Sequence, residues 1–230
     1  MITYAFGDIH GCLDELIQLV LRVQDYHTIS HLDAPMKFVF LGDYIDRGPD
    51  SKGVVDYLLD LSTVRECVFL RGNHEDMFLN DPQSMMINGG YETLLSYGWE
   101  PHQGNPEAWL KDNFPKGHWD FFRKSRLWYK DSLRTYVHAG INRRAGDVEN
   151  QIESTLLWTR DGFLHDNSMN GGYVVHGHTP IGIEEKHNRC NVDSGCVFGR
   201  FLTAAVFTEN GIGPIDFVKS DIHRKEGPYA

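Results

Sequence analysis

The stretch MKFVFLGDYIDRG, residues 36–48, is an apolar, β-prone run that ends abruptly in a charged turn. Phe38, Val39 and Phe40 suit a buried strand. Asp43, Asp46 and Arg47 then follow between Gly42 and Gly48. Charges packed that closely are either solvated or tied to partners, so the partners have to be sought elsewhere in the chain. Beyond the turn, Pro49 reads as a helix opener, and Val54, Val55, Leu58 and Leu61 recur at helical spacing.

The same order of strand, glycine-rich polar turn and helix occurs on both sides. ITYAF (2–6) runs into GDIHG and then LDELIQLVLRV. There Leu13, Leu16, Ile17 and Val20 share a helical face, and Asp14 and Glu15 sit in the dipole-favoured first turn. VRECVFL (64–70) reads as a third strand, followed by RGNHE. This repetition predicts an α/β fold with polar residues gathered at the carboxyl ends of strands, where such folds bind ligands. The second half reads as β-structure: LRTYVHAG (133–140), GGYVVHGHTP (171–180), RCNVDSGCVFG (189–199) and RFLTAAVFTENGIGPIDFV (200–218). Asn210-Gly211 is expected to form a type I′ hairpin turn.

Residues 80–128 differ, carrying Trp99, Trp109, Trp119 and Trp128 with Phe114, Phe121 and Phe122. Asn105-Pro106 reads as a helix cap followed by a first-turn proline. The segment is expected to be a mainly helical insertion that packs on the core and walls a cleft. With no linker and no repeat, residues 1–230 read as one domain.

Bulk properties limit the function. A hydrophobic content of 41% and a charged content of 23% are globular values. No apolar run is long enough to span a membrane, and the first residues lack a signal-peptide pattern, so a cytoplasmic protein is expected. The net charge of −10 argues against a nucleic-acid or anionic-membrane surface. It does not exclude an anionic small substrate, since bound metal reverses the local field. Cys12, Cys67, Cys190 and Cys196 lack zinc-type spacing and read as reduced thiols.

Strand ends carry Asp8 and His10; Asp43, Asp46 and Arg47; Asn73, His74 and Glu75; His138; and His176 and His178. Carboxylates, imidazoles and an amide oxygen without thiolate suit divalent metals of intermediate hardness. The donors suffice for two ions, the arrangement that hydrolyses phosphate esters. Any one of these turns alone is a weak signal; the joint occurrence, each turn backed by glycine, is the specific one.

GDIHG, GDYIDRG, GNHE, HAG and GHTP, in that order, resemble the phosphoprotein phosphatase family of calcineurin-like metallophosphoesterases, nearest its bacterial and phage branch of serine/threonine phosphatases. NGGYETLLSYG, LLWTR and NVDSGCVFG extend the resemblance over most of the chain. It implies a four-layer αββα sandwich with a dinuclear site at its edge. Asp8 and His10 would bind the first metal, Asp43 would bridge, and Asn73, His138 and His178 would complete the second. The ions would be manganese, with iron and zinc as alternatives. His176 matches no ligand position. Arg47 would clamp the phosphoryl oxygens, for which a guanidinium fork is suited. Arg160 in LLWTR matches a second clamp, with Arg143 and Arg144 as competitors. His74 would be the general acid, oriented by Asp46. Phe198 stands where relatives tend to carry Tyr or Trp.

The favoured expectation is a monomeric phosphomonoesterase acting on phosphoserine or phosphothreonine, with phosphotyrosine or small phosphoesters as further substrates, through direct attack of a metal-bound hydroxide. The alternative is a symmetrical dinucleoside tetraphosphate hydrolase. It is ranked second because that hydrolase is usually longer and the compact 80–128 insertion resembles that of the small phosphatases. A third possibility, a vestigial scaffold, is disfavoured because every ligand position and His74, Asp46 and Arg47 are retained.

Overall fold

The computed structural model describes residues 1–222. Strand β1 (Ile2–Phe6) leads to helix α1 (Leu13–Ser30), β2 (Met36–Phe40) to α2 (Ser51–Val64), and β3 (Cys67–Phe69) to α3 (Asn73–Asn80). β1, β2 and β3 are parallel neighbours, as the repeated strand–turn–helix pattern requires. On the other edge, β9 (Phe201–Thr208) pairs antiparallel with β1, and β10 (Asp216–Ile222) pairs with β9. A second sheet has the order β4 (Trp128–Lys130), β5 (Arg134–Val137), β6 (Tyr173–His176), β8 (Arg189–Asn191), β7 (Glu184–Lys186).

The period-2 alternation of strands sorts side chains between layers. Tyr4, Phe6, Phe38 and Phe40 face the helices α1 and α2 in one apolar cluster. Ala5, Val39 and Leu41 face the other way and meet Tyr136, Tyr173, Val175 and Cys190 of the second sheet. Val137 and Val174 point outward to Leu156 and Phe163, on the short helices α8 (Glu153–Trp158) and α9 (Asp161–Leu164). Helix, sheet, sheet, helix is the expected four-layer order.

Between β3 and β4, the segment is mainly helical: α4 (Pro82–Met85), α5 (Tyr91–Ser96), α6 (Pro106–Asn113) and α7 (Lys116–Lys124) follow α3. The Asn105 side chain caps α6 by accepting from the Ala108 amide, with Pro106 at its first position. Trp99, Leu110, Phe114, Phe121 and Phe122 bury into the same cluster as α1 and α2.

Four local readings need correction. Asp50, not Pro49, caps α2, its carboxylate accepting from Gly53. The third strand is only three residues long, because α2 continues through Val64. The buried face of α1 is rotated to Leu16, Leu19, Val20 and Val23, with Leu13 and Ile17 only half-buried. The β9–β10 connection spans 209–215, and neither Asn210 nor Gly211 takes the positive φ that a type I′ turn demands. The four cysteines are free thiols, and among the described residues no helix is long and apolar enough to cross a membrane.

Candidate active site at the strand ends

The turns after β1, β2, β3, β5 and β6 meet at one edge of the two sheets. Asp8, His10, Asp43, Asn73, His138 and His178 are all buried there. Asp43 is central: its Oδ2 lies 3.3 Å from His10 Nε2, and its Oδ1 lies 3.5 Å from His138 Nε2. Asn73 Oδ1 is 2.9 Å from His138 Nε2 and 2.8 Å from His178 Nδ1, and the two imidazole nitrogens are 3.2 Å apart. Asp8 accepts the backbone N–H of His178 at 3.0 Å.

The proton positions follow from the partners. A carbonyl oxygen can only accept, so His10 Nδ1–H donates to Ile45 O at 2.8 Å and His138 Nδ1–H to Leu41 O at 2.9 Å. The opposite nitrogen of each ring therefore carries a bare lone pair aimed at Asp43. Histidines anchored in this way are typical of metal ligands. Burial pushes His10 down to about 4, with Asp43 opposing. Burial, with His138 nearby, pushes His178 down to about 2. Burial also lowers His138. Each shift favours the neutral ring that ligation requires.

The carboxylates tell the same story. Burial, Asp193 and Asp43 hold Asp8 well above the carboxylate range. Burial pushes Asp193 up to about 7. Asp43 lies well below the range because the surrounding His138, His74 and His10 outweigh its burial. Acidic groups competing for one buried space while lone pairs converge on it form a donor set that fits divalent cations. His10, Asp43 and His74 lie within metal-sharing reach of one another, as do Asp43, His138 and His178.

The backbone is strained where these side chains emerge. Among the described residues, the non-glycine positive φ values belong to His10 (48°), Asp43 (53°), Asp46 (72°), Arg47 (70°) and His178 (68°). Each costs about 1–3 kcal/mol and persists only where the surroundings enforce it. Glu75 is one enforcer: it accepts the backbone N–H groups of Gly72, Asp43 and Tyr44 at 2.7–2.9 Å. Burial, with Asp43 nearby, nonetheless pushes its pKa up to about 8. Gly72 has to be glycine, since a Cβ there would run into the Asp43 carboxylate.

His74 Nδ1 meets Asp46 Oδ2 at 2.7 Å, both residues being buried. Asp46 Oδ1 accepts the Thr93 hydroxyl at 2.6 Å, and Asp46 N donates to Thr93 Oγ1 at 2.8 Å and Ser51 Oγ at 3.1 Å. His74 Nε2, on the far side of the ring, has no hydrogen-bond partner among the described residues and lies 4.0 Å from Asp43 Oδ2. Burial lowers its basicity, but Asp43 and Asp46 outweigh this and raise the ring above its ordinary value.

The two arginines reach the cluster from different neighbours. Arg47 Nη1 is 2.6 Å from His10 Nε2, and Arg160 Nε donates to His178 Nε2 at 3.0 Å. Arg143 goes elsewhere: its guanidinium donates to the carbonyls of Asn170, Gly172 and Asn188 and packs over Phe163. Arg144 is exposed. His176 is buried beside Phe163, with Nδ1 near Gly177 O, away from the donor cluster.

Sequence reasoning missed Thr93 and Ser51, which brace Asp46, and Gly89, whose carbonyl accepts Arg47 N–H at 2.9 Å. The signal for two of these was NGGYETLLSYG: Gly89 has φ 98°, and a Cβ on it would come within 2.7 Å of the Arg47 side chain.

A family model described as calcineurin-like phosphoesterase matches residues 1–213. The asymmetrical bis(5'-nucleosyl)-tetraphosphatase PrpE of Anoxybacillus flavithermus is 28% identical, with 91% of each chain covered. The protein of the same name from Oceanobacillus iheyensis is 28% identical, over 88% of this chain and 87% of its own. A cold-active protein tyrosine phosphatase shares the fold with a TM-score of 0.61 at 17% identity, covering 91% of this chain and 74% of that one.

Proposed function

This chain belongs to the calcineurin-like phosphoesterase family, and from that premise we propose that it is a dinuclear-metal hydrolase of dinucleoside polyphosphates, cleaving them into two unequal nucleotides. The observation that carries this reading is the match, over nine-tenths of both lengths, to a relative named for that asymmetrical activity. It displaces the phosphoserine/phosphothreonine preference, which rested on chain length and a compact 80–128 insertion: the relatives are as compact as this chain. It also replaces the symmetrical register of the earlier alternative.

Asp8, His10 and Asp43 would hold one divalent cation, and Asp43, Asn73, His138 and His178 the other. Bound there, a cation pair neutralises phosphate charge and acidifies water towards neutral pH. Arg47, anchored by Gly89, and Arg160 bind the non-bridging phosphate oxygens from their separate sides. His74 Nε2, 4.0 Å from Asp43 Oδ2, borders the same space. Asp46 keeps the His74 imidazolium populated, so that Nε2–H can hydrogen-bond a departing phosphate oxygen, and would hand its proton over outright only to an alkoxide leaving group. Thr93 and Ser51 hold Asp46 in place.

The test is the manganese-loaded protein assayed with diadenosine tetraphosphate and with a phosphoserine peptide, products being separated by anion exchange. The expected result is a kcat/KM favouring the dinucleotide by about a hundredfold or more, with unequal products. A preference for the phosphopeptide overturns the substrate class, and equal halves overturn the cleavage register.

A further inference from the structure

Large exposed apolar side chains are ordinary when they are scattered singly. Of Tyr91, Trp158 and Phe198, the exposed aromatics among the described residues, the last two stand at the rim of the candidate site, 44% and 53% exposed. Trp158 ends α8, two residues before Arg160, and its ring centroid lies 6.3 Å from that of His178, edge-on at 81°. Phe198 ends a single 3-10 turn, Cys196–Phe198, and the Arg47 guanidinium lies 5.7 Å from its ring centroid. Their chain neighbours Leu156, Leu157, Cys196 and Val197 are buried. Each segment thus anchors itself on apolar residues and presents one large ring outward. One ring accompanies each arginine of the phosphate clamp.

We propose that Trp158 and Phe198 are the base-stacking walls that read the nucleoside attached to the phosphate being hydrolysed. This rests on the dinucleotide reading above. Both rings lie within one side chain of a residue that touches the donor cluster. The base they can reach is therefore the near one, separated from the attacked phosphorus by its own ribose. The far base, beyond the remaining phosphates, lies outside their reach. A site that grips one base beside the reacting phosphorus favours an unequal cut over a central one. Stacking on an aromatic face is tolerant of base identity, so the walls select nucleotides as a class.

The experiment compares diadenosine tetraphosphate with ribose 5-phosphate, a phosphoester without a base, in the manganese-loaded wild type, W158A, F198A and the double variant. Loss of a stacking wall is expected to lower the ratio of the two kcat/KM values by about 5- to 150-fold, through KM for the dinucleotide. W158F and F198Y, which keep a ring, should retain most of the ratio. AMP should bind the wild type more tightly than ribose 5-phosphate by calorimetry, and the double variant should lose that difference. A double variant whose ratio and AMP preference match the wild type overturns the proposal while leaving the functional reading intact. A wild type that cleaves ribose 5-phosphate but not the dinucleotide overturns the functional reading instead.

Discussion

Replacing Asp46 by Asn tests the proton-donor arrangement at its hinge. Asp46 is fully buried, with one carboxylate oxygen on the Thr93 hydroxyl and the other 2.7 Å from His74 Nδ1. In Asp46→Asn, the side-chain oxygen keeps the Thr93 bond, so the new NH2 faces Nδ1. That nitrogen must then accept, and the ring is held neutral with its proton on Nε2. A neutral imidazole is a far poorer acid than an imidazolium. The charged hydrogen bond alone is worth about 1.5–3 kcal/mol, or roughly 10- to 150-fold in rate at about 1.36 kcal/mol per decade. Complete loss of general-acid help reaches about 10²–10⁴. Phosphoserine, whose alkoxide must be protonated, should therefore lose about 10²–10⁴ in kcat. p-Nitrophenyl phosphate and the dinucleotide leave as stable anions and should lose no more than about tenfold. The basic limb of the kcat/KM profile should also move to lower pH, because burial then lowers His74 with less opposition. Steady-state kinetics on the three substrates, with metal content verified, is the assay. Equal losses across all three would refute the assignment of His74 as acid and Asp46 as its support.

Asp43→Asn should reduce bound manganese from two ions to fewer than one by elemental analysis, since three imidazoles and the His74 backbone N–H converge on that carboxylate. Gly72→Ala should do the same without touching a ligand, because its Cβ would displace Asp43. Thr93→Val should destabilise the protein by about 1.5–3 kcal/mol in urea titration, with Thr93→Ser restoring most of it. Above pH 6.5, where His10, His138 and His178 are neutral whether folded or unfolded, the metal-free protein should lose stability as pH rises. Glu75 is raised from 4.5 to about 8 and Asp193 from 3.8 to about 7, so their contribution is complete below the lower values and gone above the higher ones. Thermal melts with chelator should show the decline, and manganese should flatten it.

The strand-end residues were legible because they are local: strand, glycine-rich turn and helix leave a signature within a dozen residues, and Asp8, His10, Asp43, Asn73 and His74 all lie in such runs. His138 and His178 needed the joint pattern, since a histidine after a strand says little alone. Long-range supports were out of reach. Thr93 meets Asp46 from 47 residues away, and nothing in local propensity ties α5 to the turn after β2. Arg160 and Arg143 could not be separated by spacing. What separates them is that Arg143 spends its donors on three carbonyls of a buried loop. The misread β9–β10 turn has a similar origin, an Asn-Gly signal overridden by a longer connection.

The pairing of β1 with β9 has a consequence for biosynthesis. Strand β1 leaves the ribosome long before its partner β9: Gly7 N–H, beside Asp8, binds Thr203 O, and Asp8 itself receives an amide from 170 residues downstream. Contacts of such separation form late in folding, because a long loop must close before they return any free energy. A nascent chain thus exposes GDIHG early but cannot assemble the full donor set until β9 has emerged. Cation capture becomes a closing event of folding, and a chain truncated before residue 200 should emerge without it.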